Sequence, residues 1–94
     1  MKTIKLFTFT GDFAENKDIA RDLRNKMIEP ELKKGNDLTL DFRRVNSATQ
    51  SFIHALISDL MRKYGNTVLD RVLFKSCNEK IKKIIGIVTD YMQE

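Results

Sequence analysis

A chain of 94 residues with 41% hydrophobic and 32% charged side chains has the make-up of one folded domain with a modest core, and argues against disorder, a second lobe or a deep cleft. The net charge of +4 invites a nucleic-acid reading, but the basic residues are scattered among acidic ones and no aromatic residues interleave with them to make a stacking platform. A lone cysteine, Cys77, excludes an internal disulfide and a multi-cysteine metal site, and no apolar run nears the roughly 20 residues that span a bilayer.

The N-terminal stretch TIKLFTF alternates, with Ile4 and Leu6 on one side and Lys5, Phe7 and Phe9 on the other, which predicts a strand. It lacks the continuous apolar segment of a signal peptide, so the reading places the chain in the cytoplasm. Gly11 breaks the strand, and Asp12 with Glu15 three residues later has capping-box spacing. Ile19, Ala20, Leu23 and Met27 repeat at helical spacing, and Pro30 is expected to close that first helix. The turn KKGND leads to a second alternating strand, DLTLDF, with Leu38, Leu40 and Phe42 on one face and Thr39 and Asp41 on the other.

Phe52, Ile53, Leu56, Ile57, Leu60 and Tyr64 form the apolar stripe of a second helix, which Gly65-Asn66 stops. RVLFKS is a third strand, starting at Arg71 or as early as Val68. Ser76 and Glu79 repeat the capping-box spacing, and Ile81, Ile84, Ile85, Val88 and Met92 mark a third amphipathic helix.

The resulting order, β-α-β-α-β-α, predicts an α/β fold with a mostly parallel sheet in sequential order. The second strand alternates rather than running continuously apolar, which places the helices on one face. The open face would carry Lys5, Phe7, Phe9, Thr39, Asp41, Arg71, Leu73 and Lys75, and its apolar members could meet a partner or a second copy as a homodimer. Leu40, Phe42, Ile53, Leu56, Leu60, Val72, Phe74, Ile81, Ile84, Ile85 and Val88 are the expected core.

The segment DFRRVNSATQSF, between the second strand and second helix, reads first as a well-made corner. Ser47-Ala48-Thr49-Gln50 matches a capping box, with the Ser47 hydroxyl accepting from the Gln50 amide. Asn46 is then a turn residue, and Arg43 and Arg44 are exposed. On the helix that follows, Ser51, Ala55 and Ser58 fall opposite the apolar stripe and make a strip of small residues that would let another backbone approach.

This segment is similar to the STAS domain of anti-sigma-factor antagonists, whose strand ends in Asp and is followed by a valine and a small polar loop opening a helix. Asp41, Phe42 and Val45 match the first half of that pattern. Thr49 stands at the motif's aspartate and Gln50 at the serine that family phosphorylates, while Ser51 matches the second serine. The chain more closely resembles the STAS-like domain family of unknown function, on Asp41-Phe42, Val45, Ser51-Phe52 and Asn78. That resemblance implies a STAS-like fold, a regulatory binding role and a histidine-kinase-type ATPase as protein partner.

The expected partner surface is therefore Arg43, Arg44, Asn46, Ser47, Thr49, Gln50, Ser51, Ala55 and Ser58, with Ser51 the candidate for phosphorylation at a helix start. The alternative is a basic nucleic-acid-associated protein using Arg43, Arg44, Lys80 and Lys83. No enzymatic role, metal or cofactor is expected. His54, the only histidine, has no supporting catalytic motif, and TGDF is not a phosphate-binding loop. Cys77, read as lying just inside the third helix, would feel the helix dipole as a lowering of its pKa.

Overall fold

The computed structural model describes residues 2–92. In chain order the elements are β1 (Lys2–Lys5), α1 (Phe7–Thr10), β2 (Phe13–Ala14), α2 (Lys17–Leu23), a π-helical turn (Arg24–Ile28), α3 (Glu29–Lys33), β3 (Leu38–Asp41), β4 (Ser47–Ala48), α4 (Gln50–Tyr64), α5 (Thr67–Arg71), β5 (Val72–Lys75) and α6 (Glu79–Met92). The main sheet is parallel with order β1-β3-β5, the sequential arrangement the pattern predicts. Ile4, Leu40 and Phe74 lie side by side across it, as do Lys2, Leu38 and Val72. The helices cover this face. On the other, Thr3, Lys5, Leu73 and Lys75 are exposed, whereas Thr39 and Asp41 are buried because β3 is central and is shaded from both sides.

Nine of the eleven expected core residues are buried; Phe74 and Ile84 are only half-buried. Phe74 belongs to an edge strand, where its ring leans on Phe42 at a centroid distance of 6.4 Å. Ile84 stands off the buried line of α6, which runs through Ile81, Ile85 and Val88.

The first strand is shorter than its alternation predicts. The Leu6 amide still donates to the Asp41 carbonyl, but the Leu6 carbonyl then accepts from Phe9 and Thr10 in a helical turn. Beyond Asp41 the neighbouring chain turns away, so Phe7 and Phe9 have no ladder to join and satisfy their backbone locally. They are therefore not part of the open sheet face. Residues 68–71, the earliest start read for the third strand, lie in α5 instead, and Arg71 reaches back to the carbonyls of Leu32 and Asn36 at 2.9 Å each.

The first helix also differs at both ends. Asn16, not Asp12, caps it, its side chain accepting from the Asp18 and Ile19 amides. Asp12 is occupied elsewhere: its carbonyl accepts from the Asn46 and Ser47 amides, next to the two-residue parallel pairing of β2 with β4. Pro30 does not close the helix, which runs on to Lys33 through the π turn. The Glu29 amide reaches back five residues to Arg24, and this wider turn relieves the clash that a proline ring makes with the preceding turn.

Candidate functional site

The corner between β3 and α4 begins with a turn whose outer bond is Val45 N–H to the Phe42 carbonyl, 3.0 Å. The Asp41 carboxylate accepts from the Arg43 amide at 2.9 Å, so the strand's last side chain fixes the first residue of the turn. Arg44 is the third turn residue and has φ 71°, a position that glycine or asparagine usually fills. A non-glycine residue there costs about 1–2 kcal/mol. The Arg44 guanidinium lies 4.4 Å from the centroid of the Phe7 ring, a cation–π contact that offsets part of this and ties the corner to α1.

The rest of the corner is anchored from three sides. Ser47 and Ala48 pair with Phe13 and Ala14, and the Thr49 amide donates to the Ala14 carbonyl. Thr49, not Ser47, caps α4, its hydroxyl accepting from the Phe52 amide at 3.1 Å. Ser47 cannot serve because its backbone is committed to β2, three residues before the helix starts. The Asn78 amide group donates to the Asn46 carbonyl at 2.7 Å, and its oxygen accepts from the Ile81 amide, capping α6. Asn78 thus takes the cap expected of Ser76, which has φ 59° and sits in the turn.

Four cations gather at the carboxyl ends of the parallel strands: Lys5 after β1's core residue Ile4, Arg43 and Arg44 after β3, and Lys75 ending β5. Lys5, Asp41 and Lys75 are register neighbours. All four cations are exposed, and none forms an ion pair among the described residues. Lys5, Phe7, Thr8, Asp41, Arg43 and Arg44 line a depression of ≈ 310 Å³ here. The carboxyl rim is where open parallel sheets present ligand-contacting loops. Lys5 and Lys75 belong to this cluster although the corner's own sequence does not point to them; the parallel register is the signal that finds them.

Of the expected partner-binding residues, Arg43, Arg44, Asn46, Gln50 and Ser51 are exposed, and Ser47 and Thr49 half-buried. The small-residue strip is placed differently. Ser58 is buried at 2% exposure, its hydroxyl 3.3 Å from His54 Nδ1, and Ala55 is half-buried. The chain's own α2 packs beside this strip, and from the π-helical turn that follows it the Arg24 guanidinium donates to the Ala55 carbonyl at 2.8 Å and pairs with Asp59 at 3.1 Å. Ser51 is exposed, and all three small residues line a shallow groove of ≈ 540 Å³ between α2 and α4 that Lys17, Arg21 and Arg24 also line.

Cys77 lies before α6, not inside it. Burial pushes its thiol pKa up, outweighing the nearby Lys82, so it is the protonated thiol that prevails, opposite to the expected dipole effect. Among the described residues no group of His, Cys, Asp and Glu could hold a metal ion, and no helix is long and apolar enough to cross a membrane.

A parallel three-stranded sheet backed by helices on one face, with a polar corner opening the central helix, defines the chain as an α/β protein of STAS-like type. The model of the STAS-like domain of unknown function (DUF4325) matches residues 20–82, well over half of the chain, and the chain belongs to that family. No curated protein and no solved structure matches it.

Proposed function

We propose that the chain is a small, non-enzymatic regulatory module that docks to a protein partner through the corner after β3 and the neighbouring strand ends. The observation that carries this reading is the set of four exposed cations that form no ion pair among the described residues, Lys5, Arg43, Arg44 and Lys75, held on a backbone tied down by Asp41, Asn78 and β2. Such a fixed positive rim suits an acidic segment on the partner, and charge complementarity of this kind sets orientation and association rate. The resemblance on Asp41-Phe42, Val45 and Ser51-Phe52 suggests a histidine-kinase-type ATPase as that partner. Burial raises the pKa of the Cys77 thiol, which disfavours a thiolate nucleophile there.

Titrating purified ATPase modules of this class against the wild-type chain and the Arg43→Glu/Arg44→Glu variant tests the proposal. The variant is expected to bind about 10-fold or more weakly with an unchanged circular dichroism spectrum. Equal affinity would remove the corner as the docking surface. Exposed Lys80 and Lys83, on the helix that Asn78 ties to the corner, favour nucleic acid as a second reading. A phosphate-driven complex would lose affinity in log–log proportion to salt, with a slope near −0.9 per neutralised phosphate on duplex DNA.

A further inference from the structure

Helix α6 carries two apolar lines. One, through Ile81, Ile85 and Val88, is buried in the core. The other runs through Ile84, Ile87 and Tyr91 at spacings of three and four, the step of a coiled-coil seam, with Lys80 one step before it. Ile84 is half-buried against the core, whereas Ile87 is 44% and Tyr91 66% exposed, which leaves the Ile87 and Tyr91 part of this second seam uncovered by the chain's own packing. Lys83 and Asp90 flank it on one side, seven residues apart. Both are exposed, and neither forms an ion pair among the described residues. The other flank consists of Ile81 and Val88, already buried.

We propose that this face of α6 pairs with α6 of a second copy, antiparallel and about a two-fold axis. Self-complementarity of charge selects that occupant. In the antiparallel arrangement Ile84 meets the second copy's Ile87, Tyr91 meets its Lys80, and Lys83 meets its Asp90, each contact occurring twice as an isologous interface requires. A parallel pair would instead set Lys83 beside the second copy's Val88, already buried in its own core, and would leave both charges without an opposite partner. The antiparallel pair also sets the two helix dipoles in opposition. This surface shares no residue with the corner, so the pairing stands independently of the docking reading.

The seam spans three helical turns, well short of the ≈ 1,600 Å² of a standard interface, so the association is weak. Sedimentation equilibrium of the chain from about 10 µM to about 1 mM reads it. The apparent mass is expected to rise from the monomer's 10.9 kDa towards twice that value across this range. Ile87→Glu should hold the monomer mass throughout. Lys83→Asp and Asp90→Lys should each weaken association several-fold, and the double reversal should restore it. A wild-type chain that stays at the monomer mass overturns the proposal, as does an Ile87→Glu variant that associates like wild type. If neither single reversal weakens association, or the double reversal fails to recover it, the antiparallel pairing is wrong.

Discussion

Two corners of this molecule do the same job with different amounts of chain. Each turns the end of a parallel strand into a helix, each contains a non-glycine residue with positive φ, and each ends on a polar cap. The corner after β5 uses three residues, 76–78, with Ser76 at φ 59° and Asn78 as the cap. The corner after β3 uses eight, 42–49, with Arg44 at φ 71° and Thr49 as the cap. Three residues suffice for the turn, so the additional length of the first corner is not demanded by the fold. It goes into a β-ladder with residues 13–14 and into presenting two arginines, which fits a contact surface there.

The helices that follow differ in the same sense. α4 is clasped on its small-residue side by α2, whereas the outer side of α6 is open. Inserting a long side chain on each should therefore separate them. Ala55→Arg should destabilise the fold by about 1–3 kcal/mol, because Ala55 is half-buried and a long side chain there would disturb Arg24, which donates to the Ala55 carbonyl. Ile87→Arg on α6 should change stability by only about 0.5 kcal/mol. Paired urea denaturation curves would decide the matter, and equal midpoints for the two variants would contradict the clasped arrangement.

The caps give the next largest effect. Thr49→Ala should cost about 1 kcal/mol, the ordinary loss of a helix cap. Asn78→Ala should cost more, up to about 2 kcal/mol, because it removes the cap of α6 and the bond that holds Asn46 at once. Hydrogen exchange at the Asn46 and Ser47 amides should quicken in Asn78→Ala. Unaltered exchange there would show that the two corners are not coupled through this side chain.

Replacing the two positive-φ residues by glycine sharpens the contrast at smaller scale. Ser76→Gly should raise stability by a few tenths of a kcal/mol to about 1 kcal/mol through relief of the left-handed backbone. Arg44→Gly should gain less, since it also gives up the cation–π contact with Phe7. It should nevertheless weaken partner binding where Ser76→Gly does not. Thermal melts and a binding titration on both variants would read the two effects separately.

The smallest effect lies at the far end of α4. Lys63 donates a 2.8 Å bond to the Glu29 carboxylate, and this contact, with a further bond from Tyr64, holds the Glu29 pKa below its ordinary value of 4.5. A carboxylate stabilised in the folded state contributes fully above that ordinary value and ceases to contribute as pH falls through the lowered folded value. Stability should thus decline on the acid side of pH 4.5, and Glu29→Gln should flatten the decline slightly, the pair being partly solvated. Melting temperatures of both proteins across that range provide the check.

Several features were legible in the chain itself. The alternation of Leu38, Leu40 and Phe42 named the central strand and its buried face, and Leu56, Leu60, Ile81, Ile85 and Val88 named the helix lines that cover it. Such periodicities are local, with a step set by backbone geometry, so a single sequence carries them. The strand-helix alternation then fixes parallel pairing, and the short motifs around Asp41-Phe42 and Ser51-Phe52 resemble the family to which the chain belongs. Tertiary structure alone decided the rest. Thr49 displaced Ser47 as a cap because residues 13–14, more than thirty positions away, claimed Ser47 for a strand. Asn16 displaced Asp12 for the same contact seen from the other side. Ser58 became buried because a neighbouring helix settled into the trough of small side chains, and Lys5 and Lys75 joined Arg43 and Arg44 because three strands end at one rim. In each case a backbone hydrogen bond or packing surface was satisfied by a distant segment, and no local pattern records which distant segment that will be.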